Sequence, residues 1–299
     1  VRNQQLHLSW TQQSLNSYLA VIKLEKSPQT VLAYKYDVGK FLEYLTERKV
    51  KKASGIKPTH ITDYLGHCKD QGKSDATLSR YYMSISSYCS FLRRTKEVTF
   101  NLMEDLKAPR STQKPPKVLT KEEVERMLDL PDLRTEMGVK NKAILELFYS
   151  SGLRVSEICN LDLEDFLGDS IRTTGKRGKT RTIPMTDPAI KAMKAYLDEY
   201  RNKEDGPLFL THHGLRLNRQ RVSEMVGQYA RQIGIKGVTA HTLRHSCATH
   251  LLDEGADIRF IQEVLGHSSI GSTQRYTHLS SNKMQDMFRQ FHPRKGRDE

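Results

Sequence analysis

The chain has 299 residues, of which 37% are hydrophobic and 28% charged, with a net charge of +13 and an isoelectric point near 9.5. That is enough chain for two domains with separate cores, and no run approaches the roughly 18 consecutive apolar residues of a membrane span. Val1 to Trp10 is polar and lacks the apolar stretch of a signal peptide, so a cytoplasmic location is expected.

The charge is uneven. Residues 1–115 hold 19 Lys/Arg against 10 Asp/Glu, and the remainder holds 29 against 25. A basic N-terminal third suits a polyanionic partner, because each neutralised phosphate releases counterions. A well-solvated surface would show the same surplus. Four cysteines, Cys68, Cys89, Cys159 and Cys247, form no CxxC pair, so they are expected to be reduced and packed rather than bridged.

The first hundred residues predict four amphipathic helices. Leu15, Tyr18, Leu19 and Ile22 share one helical face. Ser27-Pro28 predicts an N-cap with proline in the first turn, ahead of a stripe of Val31, Tyr34, Val38, Phe41, Leu42 and Leu45. Thr59 is the expected cap of a shorter helix bearing Ile61, Tyr64, Leu65 and Cys68. Ser74 precedes Leu78, Tyr81, Ile85, Tyr88, Phe91 and Leu92. Short connections make these a small bundle, and the tyrosines in the stripes are expected in its core.

Lys107 to Lys117, KAPRSTQKPPK, has three prolines, four basic residues and no apolar pattern, which predicts an extended linker. The expected organisation is a helical domain over 1–107, a linker over 108–117 and a second domain over 118–299. Thr120 to Glu123 is a capping-box pattern that opens a helix with Val124, Met127 and Leu128. Another helix is expected from Ala143 to Phe148, interrupted at Ser151-Gly152. Ser170 to Pro184 predicts a strand, a Gly-Lys-Arg-Gly-Lys turn and a second strand over Thr180–Ile183. Helices follow over Ala189–Tyr200, Arg221–Ile233, Thr242–Asp253, Ile258–Leu265 and Asn282–Phe291. The fold class expected is mainly α with a small β-sheet.

Four segments of the second domain carry candidate chemistry. In Ser151-Gly152-Leu153-Arg154, the glycine breaks a helix and Arg154 stands at the next helix start, able to present a planar fork to phosphate. The turn Gly175-Lys176-Arg177-Gly178-Lys179-Thr180-Arg181 gathers four cations, suited to solvating a tight loop or to delivering an ammonium group to a leaving oxygen. His241 and Arg244 are three apart and so share a helical face, where a phosphate oxygen would relieve their like charges. Gly266-His267 reads as a helix end, and Tyr276 follows in Gln274-Arg275-Tyr276-Thr277-His278.

Together these residues suit phosphodiester transesterification: a tyrosine oxygen attacks phosphorus, cations stabilise the nonbridging oxygens, and Lys and His exchange protons. Side-chain cations supply the positive charge, so no metal or other cofactor is expected. His241, His245 and His250 have helical ligand spacing, but no glutamate completes an HExxH motif and no cysteine pair supports a zinc site.

In this order, GLRVSEICNL, GKRGKTRTIP, AHTLRHSCATHLL, LGHSS and TQRYTH resemble the motif series of the tyrosine recombinases, or phage integrase family, and most of all its Xer branch. The similarity extends over nearly the whole chain, including the final FHPR. It implies a four-helix core-DNA-binding domain followed by a catalytic domain, both clamped around duplex DNA, with helices of the bundle approaching the major groove. By position, Arg154 resembles the first catalytic arginine, Lys176 the hairpin lysine, His241 and Arg244 the H-x-x-R pair, His267 the later histidine and Tyr276 the nucleophile. Glu157 resembles a supporting acidic residue. Relatives commonly have Gly-Lys-Gly where this chain has Gly175-Lys176-Arg177-Gly178, so Lys179 remains an alternative to Lys176.

The resemblance further implies a 3'-phosphotyrosyl intermediate and strand exchange in a tetramer through a Holliday junction. The tetramer would be built from one recombinase or from two paralogues, with an activating protein as a possible further partner. Chromosome dimer resolution is the expected role. The alternatives are the integrase or resolvase of a mobile element, a relaxing topoisomerase, and a DNA-binding protein without catalysis. The last helix is expected to dock Leu279, Met284, Met287, Phe288 and Phe291 on a neighbouring subunit, or else on its own domain.

Overall fold

The computed structural model describes residues 9–109, 117–175, 178–201, 205–266 and 281–294, the last segment with side chains from 285 onward. The chain divides into two compact units, Val1–Lys114 and Pro115–Glu299. The division falls inside the proline-rich stretch, whose residues 110–116 lie outside the described residues.

The first unit is helical: α1 (Trp10–Glu25), α2 (Pro28–Glu47), α3 (Pro58–Asp70) and α4 (Asp75–Arg94). Ser27 and Ser74 cap α2 and α4 as expected, each side chain accepting the N–H of the residue three places on. Helix α3 starts before the expected Thr59 cap. Pro58 takes the first helical position, where its fixed φ suits the turn and its missing N–H costs nothing. Of the five tyrosines in the stripes, Tyr18, Tyr64, Tyr81 and Tyr88 are buried in the core, and Tyr34 is half-buried against it. Two of their hydroxyls are answered inside, that of Tyr88 lying 2.6 Å from Ser14 Oγ and that of Tyr18 donating to Ser87 Oγ. All four cysteines of the chain are free and buried.

The second unit contains α5 (Lys121–Leu128), α6 (Glu136–Ser151), α7 (Val155–Asn160), β1 (Ser170–Thr174), β2 (Thr180–Pro184), α8 (Asp187–Tyr200), α9 (Arg219–Gln232), α10 (Ala240–Asp253), α11 (Ile258–Leu265) and α12 (Ser281–Phe291). The capping box at Thr120 and Glu123 is made in both directions. Helix α6 begins seven residues before the expected Ala143, capped by Thr135. It is buried around its circumference, with α8 and α10 packed against it, so it runs through the centre of this unit. Strands β1 and β2 pair antiparallel from Ser170↔Pro184 to Thr174↔Thr180.

The last helix returns to its own unit. Phe288 is buried there, and Met287 and Phe291 pack against the same core. His292 Nε2 donates to the Tyr149 carbonyl, and Arg294 forms a two-pronged pair with the fully buried Glu146. Of the five residues expected to dock on a neighbour, these three are therefore seated within the chain. Leu279 and the Met284 side chain lie outside the described residues.

Candidate active site

Helix α6 stops at Gly152, whose φ of +57° is a left-handed conformation that glycine adopts without a side-chain penalty. The position is also crowded, since a Cβ there would lie 2.7 Å from Leu265 Cδ2. Leu153 is buried, and Arg154 then caps the six-residue helix α7. Its backbone N–H donates to Glu157 Oε2 at 2.8 Å and its guanidinium to Glu157 Oε1 at 2.8 Å. The backbone N–H of Arg154 is thus already satisfied, and the group left open to solvent is the side chain, 38% exposed.

Glu157 collects more than one arginine. Arg181, on β2, places its two terminal nitrogens 3.3 and 3.1 Å from the two carboxylate oxygens. Arg244, on α10, comes to 3.9 Å. The C-terminus of α11 holds the same three side chains. Arg181 Nε donates to the Val264 carbonyl, Arg244 to Leu265 and Arg154 to Gly266, at 3.1, 2.7 and 3.1 Å. Arg244 also donates to the Gly152 carbonyl at 2.5 Å. Helix C-terminal carbonyls carry partial negative charge, so they are suitable partners for guanidinium groups.

Three guanidiniums share one carboxylate, which leaves excess positive charge in a poorly solvated space. Burial, and next the neighbouring Arg154, push the Arg244 guanidinium down to about 10, so it stays protonated at neutral pH. Burial would raise the Glu157 carboxyl, but hydrogen bonds from Arg181 and from Arg154 outweigh it and hold the group below the usual glutamate range. A phosphodiester anion would compensate the surplus charge, and Arg154 is the member that opens to solvent.

His241 lies exposed in the first turn of α10, one turn before Arg244. The structure therefore gathers Arg154, Glu157 and Arg244 and puts His241 on the adjoining turn. Lys176, His267 and Tyr276 lie outside the described residues; Gly266, immediately before His267, is part of the arginine cluster. Lys179 is exposed, and its carbonyl accepts the Gly175 N–H at 2.8 Å. The three histidines weighed as zinc ligands part company, since His250 is buried with Nδ1 2.8 Å from the Tyr149 hydroxyl. Among the described residues no group of three His, Cys, Asp or Glu side chains is placed to hold a metal.

Arg181 is the member of the cluster that motif spacing did not single out. Its signal was strand alternation. Arg181 shares the face of β2 that carries buried Ile183, and a cation at an inward strand position needs a buried partner.

A helical two-unit chain whose second unit joins an arginine–glutamate cluster to a β-hairpin is the architecture of an integrase-type recombinase. The phage integrase family model matches residues 117–283, and the model of the phage integrase N-terminal SAM-like domain matches residues 15–96. The tyrosine recombinase XerD of Staphylococcus epidermidis is 38% identical over 290 residues, covering 94% of this chain and 98% of the relative. XerD of Oceanobacillus iheyensis is 37% identical over 294 residues, with the same coverage. The fold is also that of lambda integrase, solved as a tetramer bound to a Holliday junction (TM-score 0.69, 18% identity, 90% of this chain and 79% of the other). The chain belongs to the phage integrase family of tyrosine recombinases, enzymes that break and rejoin DNA at specific sites.

Proposed function

We propose that Tyr276 is the nucleophile and that Arg154, Arg244 and His267 bind the nonbridging oxygens of the scissile phosphate. The tyrosine oxygen forms a bond to phosphorus as the bond to the 5'-oxygen breaks, giving a 3'-phosphotyrosyl link and a free 5'-hydroxyl. His241 takes the phenol proton and Lys176 protonates the leaving oxygen, with Lys179 as the alternative donor. One phosphodiester replaces another, so a 5'-hydroxyl from a second duplex can reverse the step and complete strand exchange. Glu157 acts through the arginines, setting their directions and moderating their repulsion. The observation that carries this reading is the surplus positive charge around Glu157.

The partner is a double-stranded recombination site, and the working assembly is a tetramer passing through a Holliday junction. It contains either four copies of this chain or two each of this chain and a paralogue, with an activating protein as a further partner. The role is resolution of chromosome dimers in the cytoplasm. No described helix is long and apolar enough to cross a membrane, which agrees with that location. The test is incubation with a nicked duplex carrying the recombination site. The parent chain is expected to trap a covalent adduct and Tyr276→Phe to trap none. An adduct formed by the phenylalanine variant would remove Tyr276 from this role.

A further inference from the structure

Arg181 has the same kinds of partner as the two arginines assigned to phosphate, Glu157 and the last carbonyls of α11, and its exposure of 15% lies between 38% for Arg154 and 5% for Arg244. It spans both Glu157 oxygens and the Val264 carbonyl, with Leu265 within 3.4 Å. The hairpin presses on the same point. A Cβ on Gly175 would meet an Arg181 nitrogen at 3.2 Å, and one on Gly266 would meet the Arg181 guanidinium carbon at 2.7 Å. The side chain therefore fits between the hairpin, the α7 turn and the end of α11 with no slack.

We infer that Arg181 is a positioning residue, which fixes Glu157 and the end of α11 so that Arg154 and Arg244 converge on one phosphate. This rests on the reading of those two arginines as phosphate ligands. When Arg154 and Arg244 turn donors toward the phosphate, Glu157 loses part of what they give it. Arg181 keeps hold of both oxygens, so the carboxylate remains charged and in place. A fork with several fixed donors is required, since a lysine ammonium cannot span two carboxylate oxygens and a carbonyl 3.1 Å from Nε. Hydrogen bonds from Arg181 are also foremost among the influences that hold the Glu157 carboxyl low.

The test uses the full chain and a nicked duplex carrying the recombination site recovered by binding-site mapping in the source genome. Arg181→Gln and Arg181→Lys are compared with the parent for melting temperature, DNA affinity, single-turnover cleavage and the pH dependence of that cleavage. Both variants are expected to bind DNA within about threefold of the parent and to cleave at least about 30-fold more slowly. In Arg181→Gln the acid limb of the rate is expected to move up by about one pH unit or more, and less in Arg181→Lys, because Glu157 protonates sooner without the fork. A structural weakening alone would not move that limb.

The inference is overturned if a folded variant cleaves within about twofold of the parent with the limb unmoved. It is overturned equally if cleavage falls only in proportion to DNA affinity, which would make Arg181 a DNA contact. Failure of both variants to fold would assign it to stability alone. Arg244→Ala run in parallel separates the two readings. Normal cleavage by that variant sinks the phosphate assignment, whereas a slow Arg244→Ala beside a normal Arg181→Gln sinks only the role of Arg181.

Discussion

Arg244 and Glu157 face each other at 3.9 Å in a space where each side chain keeps 5% of its surface exposed. At that distance the carboxylate offsets charge without a close hydrogen bond, and the Gly152 and Leu265 carbonyls fix the plane of the guanidinium. An arginine so held loses little freedom when a phosphate arrives, which is how preorganised donors favour a transition state. Arg244→Ala is therefore expected to cost about 2–4 kcal/mol of transition-state stabilisation, by analogy with removal of an oxyanion donor. Single-turnover cleavage near the parent rate would contradict the assignment.

Glu157→Gln should damage both rate and stability. The amide leaves three guanidiniums without their shared carboxylate, and removing one partner of a buried pair costs about 3–5 kcal/mol. The pH dependence has a definite direction. The folded carboxyl lies below its ordinary value of 4.5, so the stabilisation is complete above that value and is lost as pH falls through the folded one. Urea unfolding should show a shallower loss of stability below about pH 4.5 in the glutamine variant than in the parent. Equal slopes would mean that Glu157 is not held low by its arginines.

The sequence made this cluster legible only in part, for physical reasons. Capping serines, the hairpin and the bounds of α11 rest on local chemistry, and these match the expectation. The start of α6 does not, because its first turn, Glu136-Met137-Gly138, offers a charge and a glycine instead of an apolar pattern. That glycine is required by close approach, since a Cβ would lie 1.9 Å from the Asp132 carbonyl oxygen. Arg154 and Glu157 are three apart and announce themselves, whereas Arg181 finds Glu157 across 24 residues and Val264 across 83. No window of local spacing contains such a contact.

Gly266→Ala tests the crowding at the end of α11. The residue has a φ of +64°, where a side chain costs roughly 1–2 kcal/mol, and the new Cβ would displace the Arg181 guanidinium. A drop in melting temperature together with at least about tenfold slower cleavage is expected, because Arg154 bonds the carbonyl of this same residue. A variant that melts lower but cleaves normally would show that the helix end needs no such fit.

Breaking the C-terminal anchor should cost stability before activity. Glu146 is fully buried and takes two bonds from Arg294, at 3.0 and 2.5 Å, with Lys142 also 3.0 Å away. Arg294→Ala leaves the carboxylate with the lysine alone, so the expected loss is somewhat below the roughly 3–5 kcal/mol of a buried pair broken outright. Glu146→Gln with Arg294 retained should cost a comparable amount. Unchanged urea midpoints in both variants would show that the pair contributes nothing net.

His292 gives the anchor a dependence on pH. Its Nε2 donates to the Tyr149 carbonyl and its Nδ1 accepts the Arg294 N–H, an arrangement open only to the neutral ring. Burial pushes the imidazole down to about 4 from the ordinary 6.5. Above pH 6.5 the ring is neutral in both folded and unfolded chains and its contribution is complete. As pH falls from there toward 4, the unfolded chain takes up a proton that the folded chain refuses, and stability is lost by up to roughly 3 kcal/mol. His250, lowered by burial as well, adds a loss of the same sign. His292→Gln should therefore flatten, though not abolish, the fall in unfolding free energy between pH 7 and pH 5. A parent chain equally stable at both values would show that this imidazole is not held neutral by its burial.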